Sequence, residues 1–269
     1  MLTAHFRRIA AAIAFCGPLL LGAIAPVVSP VSPAMAQATF SPEQRKAVVD
    51  IIRETLTKNP ELIQEALIEL EKRNQQAQVD AQKNALGAEK ATLFDNPKSA
   101  IAGNPQGDVT IVEFMDYNCG YCKRAMEDMR AIIKDDPKLK VVLKEFPVLG
   151  PDSVEAARVA TAVKNQLKGD KFWDFHVKLM ASRGKVNAAR ALDLAKEAGA
   201  NVDQVRKDME SAETRGAIEE TVALGDRLGL TGTPAFVLGD EVIFGAVGAE
   251  VLKGKISAMR KCGKTVCSG

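Results

Sequence analysis

The sequence predicts an α/β domain with a helical insertion, preceded by an all-helical segment. Two observations carry this. Residues 41–94 show helix-start signals and helical periodicity with no strand pattern. Residues 95–269 then alternate patterns in the order strand, helix, strand, helical block, strand hairpin, helix, which is the plan of an α/β layer structure. At 269 residues, 46% hydrophobic, the chain can hold one good core and a smaller accessory element.

The first 36 residues read as a secretory signal. Arg7 and Arg8 form a basic start, residues 9–28 are apolar with interruptions at Pro18 and Pro26, and Ala34-Met35-Ala36 offers small residues where a signal peptidase reads. The prolines and the short run fit a membrane-spanning helix poorly. A lipid-modified Cys16 would need a small residue before it, and Phe15 is not small. Cleavage after Ala36 removes two of 36 basic residues and no acidic ones, leaving 34 against 34. A neutral mature chain gives no electrostatic argument for nucleic acid, and nothing after residue 36 is long and apolar enough to span a membrane.

Residues 37–70 are expected to form a helical oligomerisation region and 71–94 a linker helix. Ser41-Pro42-Glu43 starts a helix, with Ser as cap and Pro in the first turn. Val48, Ile51, Ile52 and Leu56 form one apolar face, Asn59-Pro60 breaks the helix, and Ile63, Leu67 and Leu70 continue the stripe. Beyond Leu70 the register gives Asn74, Ala77, Ala81 and Ala88, so no core-facing stripe is expected there. A helix pair with one apolar stripe cannot bury it alone, and self-association is favoured over docking on the main domain.

In residues 95–269, 109–115 and 140–146 read as buried strands, with a helix from about Cys119 to Lys134 between them. A helical insert is expected at about 151–229, punctuated at Gly169, Gly184, Gly199 and Gly216. Residues 233–238 and 241–244 read as a hairpin turning at Gly239-Asp240, and 249–261 as a last helix.

Four cysteines remain after the leader, as the pairs Cys119/Cys122 and Cys262/Cys267. In an oxidising compartment such pairs point to disulfide chemistry. A strand ends near Met115 and a helix starts at Cys119, and the N–H groups and dipole of a helix N-terminus stabilise a thiolate. Cys119 is therefore the candidate nucleophile, partly exposed. Cys122, one turn deeper, is the candidate resolver of a mixed disulfide. The rival readings are half of a zinc site completed by Cys262 and Cys267, or a purely structural bridge. Cys262 and Cys267 are most simply a structural disulfide clamping the tail, with metal binding or a second redox role still open. Thr233-Pro234 lies in a pre-strand loop where a cis bond is plausible. His176, within Phe172-Trp173-Asp174-Phe175-His176, reads as packing.

The run Cys119-Gly120-Tyr121-Cys122 after a Glu-bearing strand, the Lys-bearing second strand, the phrase Glu145-Phe146-Pro147-Val148-Leu149-Gly150-Pro151, the insert and Thr233-Pro234 together resemble the DsbA-type branch of the thioredoxin superfamily over about residues 95–262. The helical leader resembles the N-terminal region of the bacterial copper-sensitivity suppressor (ScsC-like) proteins. The resemblance implies a thioredoxin fold, a periplasmic location, and protein substrates with thiols or disulfides. It also implies a membrane redox-recycling partner, no cofactor, and a homo-oligomer with a trimer favoured. Position by position it implies a buried acid at Glu113, paired with Lys144 on the next strand as a proton relay. Gly120, Tyr121, Thr233 and Pro234 fall at substrate-facing positions. Gly-Tyr between the cysteines and Thr before the proline depart from DsbA oxidases and resemble DsbC-type isomerases, so isomerisation is expected. The alternatives are a DsbA-like oxidase and, from another class, a non-catalytic copper-binding or surface scaffold.

Overall fold

The computed structural model describes residues 40–267; the expected signal, 1–36, lies outside the described residues. The described residues fall into two compact units that divide after Ile63.

Helix α1 is Pro42–Lys58. Ser41 caps it as a capping box: its Oγ accepts from Gln44 N at 3.2 Å and its own N–H donates to Gln44 Oε1 at 2.9 Å. None of its residues is buried, and Val48, Ile51, Ile52 and Leu56 are exposed. Helix α2, Glu61–Ala88, is continuous through residue 70, where the oligomerisation region was expected to pass into a linker. Leu67 and Leu70 are exposed. The second half of α2 departs from expectation: Leu86 is buried, and Gln82 Nε2 donates to Leu228 O at 2.9 Å. A fading stripe hid this docking because one Leu supplies it. Helix α3, Lys90–Phe94, follows and buries Leu93.

Strand β1, Ala100–Gly103, was not anticipated. Then come β2, Val109–Met115, helix α4, Gly120–Asp135, and β3, Leu139–Glu145. The insert is five helices: α5 Pro151–Gln166, α6 Asp170–Met180, α7 Ala188–Glu197, α8 Val202–Asp208 and α9 Ala212–Arg227. Gly169, Gly184 and Gly199 punctuate it with positive φ, but Gly216 lies inside α9 and breaks nothing. Strands β4, Ala235–Leu238, and β5, Glu241–Phe244, turn at Gly239, whose φ of +60° suits a residue without Cβ. Helix α10, Ala249–Cys262, ends the fold.

The sheet order is β1-β3-β2-β4-β5. β2 and β3 are parallel and the other pairings antiparallel. Central β2 is apolar on both faces because both are covered. Val109, Ile111 and Met115 face a cluster with α4, α5 and α6, while Val112 and Phe114 face a second cluster with Leu86, Leu93 and Leu224. This period of two assigns Glu113 to the face that packs α4, and it decides the pairing described below. Among the described residues no helix is long and apolar enough to cross a membrane.

Candidate active site

Cys119 is the N-cap of α4, in extended conformation, and Cys122 lies in its first turn. Both thiols are free. Cys119 Sγ accepts from Cys122 N at 3.4 Å and lies 3.2 Å from Thr233 O. The Thr233-Pro234 peptide is cis, so the strand-to-helix turn and the proline loop, 114 residues apart, meet at the sulfur. Cys119 is more enclosed than the sequence suggested, at 6% exposure against 0% for Cys122. Gly120 and Tyr121 are exposed beside it, and the Arg124 guanidinium covers the Tyr121 ring at 4.8 Å.

The electrostatics split the pair. The Cys122 thiol, then Thr233 and the free backbone N–H groups of α4, pull Cys119 down to about 5 against the cost of burial. The same hydrogen bond, followed by burial, pushes Cys122 well above the ordinary thiol range. At neutral pH Cys119 is a thiolate and Cys122 holds the proton, which is the asymmetry a nucleophile and a resolver need.

Glu113 is fully buried, and neither carboxyl oxygen has a hydrogen-bond partner. Burial, then the Cys119 charge, raise it to about 8, so it is mostly protonated at pH 7.

Residues 110–257 match the DSBA-like thioredoxin domain, and residues 44–77 match the copper resistance protein ScsC N-terminal domain. The chain belongs to the DSBA-like thioredoxin domain family. Among solved structures, a thioredoxin-like oxidoreductase from Silicibacter pomeroyi DSS-3 is 40% identical, covers 64% of this chain and 98% of its own, and has a TM-score of 0.60. A linker-deletion mutant of Proteus mirabilis ScsC is 28% identical over 81% of this chain and 95% of its own, also at 0.60. A probable thiol:disulfide interchange protein DsbC of Bordetella avium is 31% identical over 135 residues, which is 50% of this chain and 37% of that protein. The chain spans about a quarter of the length of the sodium–proton antiporters among the curated relatives it matches.

One expectation drawn from the DsbA resemblance fails. Lys144 does not pair with Glu113. In the parallel register Glu113 stands opposite Leu143, and Lys144 stands opposite Phe114. Lys144 therefore leaves the sheet on the other face, where Nζ donates to Thr92 O at 2.8 Å. Burial lowers it to about 8. The sheet lies between the two groups, so Lys144 cannot relay a proton to Glu113.

The second cysteine pair is a disulfide between Cys262 and Cys267. Two residues before it, Arg260 bonds Asp136, the C-cap of α4, at 2.6 and 2.9 Å. The pair is thus at the opposite end of α4 from Cys119, about 24 Å away at 1.5 Å per residue. One metal cannot join the two pairs, and the tail disulfide cannot exchange directly with Cys119.

Sequence reasoning passed over the three residues before Cys119. Asp116 Oδ1 accepts from Ser153 Oγ at 2.7 Å, and Oδ2 accepts from Val148 N and Leu149 N, each at 3.0 Å. Tyr117 Oη is 3.0 Å from Glu145 Oε1 and 2.8 Å from His176 Nδ1. Asn118 Oδ1 accepts from Val186 N at 2.7 Å, while Nδ2 donates to Val186 O at 2.9 Å. The signal was a run of three hydrogen-bonding side chains directly after a buried strand. His176 does pack, stacked on Trp173, but it is also hydrogen-bonded.

Proposed function

We propose that this protein is an exported, periplasmic thiol–disulfide oxidoreductase that works chiefly as a protein disulfide isomerase. The observation that carries the reading is Cys119 Sγ at the N-cap of α4, 3.2 Å from the carbonyl of the residue before a cis-proline. Cys119 attacks a substrate disulfide, the substrate's other sulfur leaves as thiolate, and a mixed disulfide forms. Either another substrate thiolate displaces Cys119, completing a reshuffle, or Cys122 gives up its proton and attacks, leaving the Cys119–Cys122 disulfide and a reduced substrate. Thr233 and Pro234 supply backbone for an extended client segment. Gly120 and Tyr121 are exposed beside the sulfur. Once the mixed disulfide removes the Cys119 charge that helps raise Glu113, the Glu113 carboxylate, on the α4 face of the sheet, takes up the Cys122 proton.

A low Cys119 value serves oxidation as well as isomerisation, so the preference for isomerisation rests on two other features. Gly120, Tyr121 and Thr233 match the isomerase pattern. The exposed Val48, Ile51, Ile52 and Leu56 of α1 form an apolar face suited to joining copies, with a trimer favoured, which would gather several sites around one client. A membrane partner that keeps the pair reduced completes the cycle. The DsbA-like oxidase is the second reading, supported by the same thiolate.

Reactivation of scrambled ribonuclease, run beside oxidation of a reduced peptide, tests the choice. An isomerase restores ribonuclease activity from its reduced form. Rapid peptide oxidation with no reactivation would establish the oxidase instead.

A further inference from the structure

Three consecutive side chains between β2 and Cys119 reach into three different parts of the helical insert and its approach. Asp116 holds the start of α5 through Ser153 and the loop after β3 through Val148 and Leu149. Tyr117 meets His176 of α6 and Glu145 at the end of β3. Asn118 exchanges two hydrogen bonds with Val186, just before α7, and donates to Ser153 Oγ at 3.1 Å. Cys119 itself is tied back by its N–H to Asp116 O at 3.0 Å. We propose that the helical insert sets the reactivity of Cys119 through this clamp, with Tyr117, bridged between Glu145 and His176, as its central positioning residue.

A merely structural role would not need this chemistry. Tyr117 and His176 are buried at 1% and 0% exposure, with Phe172 and Trp173 stacked against the imidazole. A Phe–Leu contact would fill that junction with no polar group to satisfy. Instead the junction holds three hydrogen-bonding groups and leaves Glu145 Oε2 and His176 Nε2 without partners. Each buried polar group left unpaired is destabilising. What a hydrogen-bonded chain supplies and an apolar contact does not is a fixed direction and distance. Cys119 needs that: its sulfur accepts from one backbone N–H at 3.4 Å and sits 3.2 Å from the Thr233 carbonyl oxygen, and the N–H contact weakens steeply with small displacement. Fixing the three residues before it leaves the sulfur little freedom beyond its own side-chain rotation.

The inference rests on the reading of Cys119 and Cys122 as an exchanging pair, and its test separates the two. The full chain and three variants, Tyr117→Phe, Asn118→Ala and Val205→Ala, are equilibrated with glutathione buffers, and the Cys119 thiolate is titrated by its ultraviolet absorbance. Val205 is buried in α8 and makes none of the clamp's bonds, so Val205→Ala reports loss of stability alone. Tyr117→Phe should loosen the sulfur, raise the thiolate midpoint and shift the equilibrium toward the disulfide by about threefold or more, some 14 mV at 29.6 mV per tenfold. Asn118→Ala should shift it in the same direction, and Val205→Ala should not shift it. If Tyr117→Phe does not fold, Asn118→Ala carries the test. Folded variants whose midpoint and equilibrium match wild type overturn the clamp while leaving the redox reading intact. A wild-type protein that never equilibrates with glutathione overturns the redox reading itself.

Discussion

Replacing Glu113 with Gln should stabilise the reduced protein at neutral pH and change little at pH 4. The folded carboxyl titrates at about 8 and the unfolded one near 4.5. A carboxyl whose folded value is raised must take up a proton to fold whenever pH exceeds its unfolded value. The penalty is therefore absent below about 4.5, grows with pH, and levels off above about 8. At pH 7 the gap is about 2.5 units, or about 3 kcal/mol at 1.36 kcal/mol per unit, and the plateau is about 5 kcal/mol. Gln keeps the volume and does not titrate, so the variant escapes the pH-dependent part. The assay is urea unfolding of both proteins under reducing conditions at pH 4, 5.5 and 7. In the disulfide form the gain should shrink, because the Cys119 charge that helps raise Glu113 is gone. The same substitution should slow release of the mixed disulfide by about tenfold or more, since Cys122 loses its proton acceptor. A stability difference that is the same at pH 4 and pH 7 would show that Glu113 titrates normally, and would refute the unpartnered buried carboxyl.

Lys144→Met should leave the glutathione equilibrium within about twofold of wild type, measured as above, because Lys144 projects from the far face of the sheet; a tenfold shift would restore the Glu–Lys relay. Alkylation of the reduced protein by iodoacetamide should rise through a midpoint near pH 5 and be flat above pH 7, with Cys122 unlabelled, as the values of the two thiols require. Deleting residues 37–75 should yield a species that light scattering reports as a monomer, with thiol exchange intact and ribonuclease reactivation largely lost. The cut must spare Gln82 and Leu86, which dock on the domain; Leu86→Ala should cost about 2–5 kcal/mol in urea unfolding.

What could be read from the chain depended on whether the signal was local. The β2 run, the turn into α4 and the Thr233-Pro234 loop are each written in a few adjacent residues, and each is where the structure has it. Strand β1 has only Ala100-Ile-Ala-Gly103, too short and too weakly β-forming to register, and it exists because β3 offers it an edge. Gly216 looked like a break, but α9 has free space around it and runs through. The partner of Glu113 was misassigned because one residue of register exchanges the faces of a strand, and register between strands cannot be read from either strand alone. The docking of Leu86 and the Asp116–Asn118 clamp are long-range contacts of the same kind. Gly225 makes the point from the opposite side: within α9 it is unremarkable, yet a Cβ there would come within 2.5 Å of the Phe146 ring.

The central claim is that Cys119 attacks and Cys122 resolves. Intact and peptide mass measurement of Cys122→Ser after exposure to oxidised glutathione tests it most directly. The account predicts one stable glutathione adduct, on Cys119, while wild type passes through that adduct to the Cys119–Cys122 disulfide. No adduct on Cys119 in the variant would contradict it, as would a wild type that stays glutathionylated.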